Sequence, residues 1–285
     1  MTKPHSHTID APGAVLHYDL RDGAEPTLLL VGSPMAAPGF ATLAGHFTDR
    51  RVVTYDPRGS ERSVRTDGAA ENTVEEHADD LRRLIDAVGG GPVDLFASSG
   101  GAVNALALVA KHPEQVRTLV AHEPPASSEL PDSEVILRAC EDIRDTYLAS
   151  GFGPAMAKFI ALVSHQGPFT AAYLEQPAPG PAAFGLPTED DGNRDDPLLG
   201  LNMISCNAFR HDFAALRAAS TRIVLAVGAD SGEILPARAA QVVAEELGTA
   251  TVAFPGDHGG FLGGEYGQTG KPDEFAAALR EVLEA

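Results

Sequence analysis

The stretch VDLFASSGGAVNAL, residues 93–106, limits what this chain can become more than any other. A short apolar run with β character stops at two serines and two glycines. A second apolar run, with helical spacing, starts at once. A strand apolar on both faces has to be covered on both faces. A strand that passes through a tight turn into a helix rejoins its own sheet by a right-handed crossover. The stretch therefore predicts a parallel sheet with helices on either side.

The rest of the chain keeps that rhythm. Residues 14–20 read as an edge strand and 27–32 as a buried strand ending in Gly32; 41–49 read as a helix, 51–56 as a strand and 57–63 as a loop. In 72–90, Val74, Ala78, Leu81, Leu84, Ile85 and Val88 keep helical spacing, and glycines close the element. A helix over 102–112 and a strand over 116–123 follow. From Pro124 to about Thr221 the β character lapses. There, 133–150, 154–165 and 198–209 look helical, and 176–197 is a long loop rich in Pro, Gly and Asp. The alternation returns with a strand at 222–228, a helix at 236–248, a strand at 249–254 and a closing helix at 273–285. No repeat of 20–50 residues interrupts it.

Charge and composition exclude several classes. The 285 residues carry 40 acidic against 21 basic side chains, a formal net charge of −19. Such a chain repels phosphate backbones and anionic headgroups, so neither nucleic acid nor membrane is an expected partner. Cys140 and Cys206 stand in no Cys/His cluster, which gives no metal site. Two distant cysteines are no disulfide framework either, and Cys206 reads as a small buried apolar residue. With no apolar leader and no stretch of about 18 apolar residues, a cytoplasmic protein is expected. GGGP (89–92) lacks the Lys and Ser/Thr of a phosphate loop, so no cofactor is expected. Oligomeric state is not legible; a homodimer is one option.

A serine becomes a nucleophile when a sharp strand-to-helix turn projects its oxygen toward a base and an anion site. The residues two before and two after it must then be small. Ser99 has Ala97 and Gly101 in those places, whereas Ser98 has the bulky Phe96. Ser99 is therefore the candidate, and Gly100 N–H, at the start of the next helix, the first candidate donor to an oxyanion. A plain packing turn of small residues is the alternative. The candidate base is His258 in FPGDHGGF, between the last strand and the last helix. His5 and His7 fall in a terminus expected to be disordered, and His17, His46, His77 and His112 on elements away from that edge.

Taken in order, the GSP loop, YDPRGSERS, ASSGG, HEPP and GDHGGF resemble an α/β-hydrolase over nearly the whole chain. The resemblance implies an α/β fold with an eight-stranded, mostly parallel sheet, helices on both faces and a helical cap. Residues 1–125 and 218–285 would form the core and 126–217 the cap. It also places the second oxyanion N–H on Ser33, since Pro34 has no N–H. Met35 and Phe40 would be pocket or core residues, and Arg58 would brace its loop. In many relatives the acid is the third residue beyond the glycine of IVLAVG, here Ser231. Asp230 comes one residue early. A minority take the acid from the end of the strand before the cap, where Glu123 stands. Glu123 is the expected acid and Asp230 the alternate.

The elbow and acid placement are loosely similar to lactone hydrolases of the zearalenone type. The implied chemistry is cleavage of an ester or lactone of a small to medium apolar molecule through an acyl-enzyme on Ser99. A thioester, an amide or a carbon–carbon bond beside a ketone, or cofactor-free perhydrolysis, would use the same residues. A non-catalytic ligand-binding relative is the alternative from another class.

Overall fold

A computed structural model describes residues 4–285. Of the amino-terminal segment read for a leader, residues 1–3 lie outside it. The strands are β1 (His5–Ala11), β2 (Ala14–Arg21), β3 (Ala24–Val31), β4 (Arg50–Tyr55), β5 (Val64–Arg65), β6 (Val93–Ser98), β7 (Val116–His122), β8 (Arg222–Gly228) and β9 (Val252–Phe254). Eight of them form one sheet in the order β1-β2-β4-β3-β6-β7-β8-β9, and the two-residue β5 pairs with β2 outside that path. From β4 to β9 every pairing is parallel; β1, β2 and β5 join antiparallel.

Three expectations need correction here. Residues 14–20 were expected at the edge, but β1 lies outside them, and it contains His5 and His7 of the terminus expected to be disordered. Its side chains are mostly exposed, so β1 carries no hydrophobic period to read. Backbone pairing with β2 across a turn at Gly13 (φ +73°) holds it instead. The sheet also has nine strands rather than eight once β5 is included.

The helices are α1 (Ala41–Gly45), α2 (Val74–Ala87), α3 (Gly100–Lys111), α4 (Ser133–Ser150), α5 (Phe152–Ser164), α6 (Ala171–Leu174), α7 (Met203–Ala208), α8 (Phe213–Ala218), α9 (Leu235–Glu246) and α10 (Pro272–Glu284). Alternation along the buried strands sorts the core onto two faces. Leu29, Val31, Leu95, Ala97, Leu119 and Leu225 pack with α2, α3 and α9. Leu28, Leu30, Phe96, Val120 and Ala226 pack with α1 and α10. Both faces are covered, as wholly apolar parallel strands require. α2 begins where the sequence allows it, since Thr73 and Glu76 form a reciprocal capping box.

Residues between β7 and β8 build the helical insertion. It begins at Pro124, passes through α4 to α8, and includes a π-helical turn at Pro197–Asn202. Several buried polar contacts tie it down. Arg238 of α9 grips the Asp132 carboxylate with two bonds of 2.9 and 3.0 Å. Ser127 Oγ donates to Asn207 Oδ1 at 2.6 Å. Asn202 Oδ1 meets His77 Nε2 at 2.7 Å and Asn72 Nδ2 at 3.2 Å. No helix among the described residues is long and apolar enough to cross a membrane.

The loop after β4 hangs on one buried ion pair. Arg58 donates through Nε and Nη2 to both Asp80 oxygens, at 2.7 and 2.6 Å, and both side chains are buried. Asp80→Ala removes two of the guanidinium's bonds and leaves it only the partly exposed Glu76 carboxylate at 2.8 Å, and should cost about 3 kcal/mol in urea unfolding.

Three buried histidines set a pH dependence. Burial lowers His77, His122 and His211 from 6.5 to about 4 each. The unfolded chain therefore takes up protons below about 6.5 that the folded chain refuses until about 4. Stability is complete above that window and falls through it on acidification, by up to about 4 kcal/mol per pH unit for three sites. Urea midpoints measured from pH 7 to 4 should show this slope. His211 has no hydrogen-bond partner at either nitrogen among the described residues and lies between Phe209 and Phe213. His211→Phe should remove about one third of the slope.

Candidate active site

The site is assembled at the carboxyl ends of β3, β6, β7 and β8. β6 runs to Ser98, and α3 starts at Gly100. Ser99 alone makes the turn, with φ 56° and ψ −130°. A non-glycine residue in that region is strained by about 1–3 kcal/mol and persists only where its surroundings hold it. Ser99 N–H donates to His122 O at 3.0 Å, and Ser99 O accepts from Ala102 N–H at 2.9 Å. Small neighbours are compulsory. A Cβ on Gly101 would lie 2.7 Å from Val31 O, and one on Gly100 would lie 2.6 Å from Ser33 O. The elbow is thus pressed against the loop after β3. Ser33 follows that strand at Gly32 and lines the same cavity as Ser99 and Gly100. The first N–H groups of α3 have no partner within the helix, and its dipole favours negative charge there.

Glu123 follows β7 with φ 46°, and Pro124 and Pro125 come directly after it. Its carboxylate has no solvent exposure. Gly228 N–H donates to Oε1 at 2.9 Å, and Oε2 lies 2.6 Å from His258 Nδ1. Burial pushes the Glu123 pKa up, but the hydrogen bond from His258 leads the effects that outweigh it, and the group settles below the usual carboxylate range. An ionised Glu123 can only accept, so Nδ1 carries a proton, and in the neutral imidazole Nε2 is the nitrogen with the lone pair.

His258 sits in the loop between β9 and α10. Gly256 turns this loop with φ +86°, where a Cβ would lie 2.8 Å from Gly260 Cα. Asp257 shapes the same turn by accepting Gly259 N–H at 2.9 Å. His258 and Ser99 line one cavity of about 930 Å³. Among the described residues no hydrogen bond joins them; catalytic hydrogen bonds are often long before substrate binds.

Asp230 has a different partner. Its Oδ2 takes Lys271 Nζ at 2.6 Å, and its backbone N–H donates to Gly256 O. Ser231, the usual place of the acid, is buried beside Gly228. Met35 is half-buried and lines the cavity, and Phe40 is fully buried in the core. Arg58 braces its loop through Asp80 and Glu76. Cys206 departs from its reading as a buried residue. It is half-buried on the cavity wall, where a Cβ on Gly100 would lie 3.4 Å from its sulfur.

Sequence reasoning missed His122. Its ring stacks on His258 at 5.9 Å between centroids, and its Nδ1 meets Ser98 Oγ at 3.1 Å. Phe96, Phe254, Phe261 and Phe275 surround it. In the sequence, a histidine ending an apolar strand beside a glutamate was the available signal. The insertion supplies the apolar wall through Phe152, Met156, Phe159 and Met203. Its helical pattern was legible, but the face it turns to the cavity was not.

Comparison with known proteins agrees with this architecture. Residues 26–176 match the family described as alpha/beta hydrolase fold. An uncharacterised hydrolase of Bacillus subtilis, YraK, is 32% identical over 283 residues, covering 97% of this chain and 95% of that protein. An enol-lactonase from Burkholderia xenovorans LB400 superposes with a TM-score of 0.66 at 17% identity, over 98% of this chain and 100% of its own. A thermophilic esterase from Thermogutta terrifontis gives 0.69 at 20% identity, over 99% and 98%. With its sheet order, its strained serine between strand and helix, and these relatives along its length, the chain belongs to the α/β-hydrolase family and is a hydrolase.

Proposed function

We propose that this hydrolase cleaves a carboxylic ester or lactone through an acyl-enzyme on Ser99. The observation that carries the reading is the 2.6 Å contact between Glu123 and His258 Nδ1, which leaves Nε2 free in the cavity that Ser99 enters. The same fold carries proteins described as an enol-lactonase and an esterase.

His258 Nε2 takes the Ser99 proton as Oγ attacks the carbonyl carbon. The carbonyl oxygen becomes an oxyanion, held by the backbone N–H groups of Gly100 and Ser33. Each such donor is worth about 2.7–4 kcal/mol in the transition state. Imidazolium then passes its proton to the departing alkoxide as the carbon–oxygen bond breaks. A water enters and His258 removes its proton as the water oxygen bonds to the acyl carbon; the bond from that carbon to Ser99 Oγ then breaks, imidazolium returns its proton to Oγ, and the acyl group leaves as a carboxylic acid. Throughout, Glu123 holds the imidazole tautomer and stabilises imidazolium. His122 stays neutral in its phenylalanine cage and gives His258 a flat apolar backing. The apolar insertion residues favour a substrate with an apolar body.

Ser99→Ala should abolish turnover of p-nitrophenyl esters and labelling by a fluorophosphonate. Retained labelling would sink the nucleophile. Glu123→Gln removes the charge that orients imidazole and should lower kcat/KM by about 10³–10⁴. Asp230→Asn breaks only the contact with Lys271 and should cost less than about tenfold. The opposite ranking would transfer the acid to Asp230.

A further inference from the structure

Among the described residues, four that are not glycine take a left-handed backbone: Glu61, Ser99, Glu123 and Tyr266. Ser99 and Glu123 belong to the constellation above. Glu61 (φ 47°) and Tyr266 (φ 55°) come from loops distant in sequence, yet both line the Ser99 cavity. Strain of this kind gathers where a side chain has to be aimed.

A third group completes the corner. Ser60 is 2% exposed and lines the cavity, and its Oγ has no hydrogen-bond partner among the described residues. A buried hydroxyl without a partner is incomplete until a ligand or water reaches it. Glu61 beside it is exposed and has no ion-pair partner among the described residues. The adjacent Arg62 is committed to Asp56 and Asp19. Tyr266 presents an exposed ring, with Cε2 packed 3.1 Å from where a Cβ on Gly39 would stand. Partial burial and then the Glu61 charge raise its hydroxyl pKa, which is consistent with the two side chains sharing this corner. Among the described residues, no Lys or Arg lines the cavity. It does contain Asp196, Asp230 and Asp257, of which Asp230 is paired with Lys271.

We propose that Ser60, Glu61 and Tyr266 form a subsite for a protonated amine on the substrate. The cavity then takes an ammonium-bearing ester with an apolar body and turns away a carboxylate-bearing one. Each group supplies a different element of ammonium recognition. The carboxylate gives charge, the orphaned hydroxyl accepts an N–H, and the ring face attracts the cation. The apolar body lies against Phe152, Met156 and Phe159. The inference rests on the hydrolase reading only in taking this cavity as the substrate's.

The test measures binding in the Ser99→Ala protein, where turnover plays no part. Three probes share one framework: 2-phenylethylammonium, 2-phenylethanol and 3-phenylpropanoate, titrated by calorimetry. The ammonium should bind at least about tenfold tighter than the alcohol, and the carboxylate weakest of the three. Adding Glu61→Gln should bring the ammonium-to-alcohol ratio close to one, and Tyr266→Leu should lower it severalfold. Both positions are exposed, and thermal melts verify folding. An alcohol that binds as tightly as the ammonium overturns the subsite, and so does a ratio indifferent to Glu61→Gln. If the ratio fails while Ser99-dependent ester cleavage stands, only the subsite falls. If cleavage fails while the ratio stands, only the hydrolase reading falls.

Discussion

The Glu123 carboxylate carries a charge with no solvent contact at the carboxyl end of a central strand. Removing such a charge from water is expensive unless hydrogen bonds replace the water. Two replacements come from different parts of the chain. Gly228 N–H arrives from the end of β8, and His258 arrives from the loop after β9. The backbone N–H of Glu123 itself donates to Ala226 O. A single carboxylate therefore draws three loops into one geometry, and the same contact fixes which nitrogen of His258 faces the cavity. Asp230 lies in that loop cluster but is half-solvated and already paired with Lys271, so it has no comparable demand for a partner.

Strain at Ser99 and burial at Glu123 solve one problem from two sides. The elbow needs a side chain that points out of the sheet, and only a left-handed residue between strand and helix delivers it. Such a residue holds its place because β6 lies between β3 and β7 and because Gly100 and Gly101 allow the turn to press against Val31 and Ser33. Tethering Ser99 N–H to His122 O joins the elbow to the strand that leads into Glu123. His122 is thus shared. Its carbonyl supports the turn at Ser99, while its ring lies against His258.

Legibility in the sequence followed physical demand. The strands β3, β6, β7 and β8 were readable because burial on both faces forces continuous apolar runs. The polar β1 was not, since backbone pairing alone holds it and leaves no period in its side chains. Ser99 could be separated from Ser98 because the turn forbids bulk two residues away, a constraint that acts within five residues. The acid was legible only as a choice between Glu123 and Asp230. That choice depends on how loops over 100 residues apart approach one another. The cavity wall was hidden for the same reason, since helical spacing reports an apolar face but not its neighbour. The positive φ at Glu61 and Tyr266 left no trace, because neither is a residue type that prefers that region.

The insertion's attachments bear on how the cavity can change. Asp132 meets Arg238 on α9, Ser127 meets Asn207 within the insertion, and Asn202 meets His77 and Asn72 at the start of α2. These contacts are buried or partly buried, and they lie at both ends of the inserted segment. Opening it as one rigid body would break several at once, each leaving an unpaired polar group at about 1–3 kcal/mol. Residues 176–195 carry no such ties to the core and are mostly exposed. Small movements of that loop, which runs into Asp196 and Pro197 of the cavity lining, therefore cost less than lifting the helices. The groups lining the cavity are an apolar side from α5 and α7 and carboxylates, with no lysine or arginine among the described residues there.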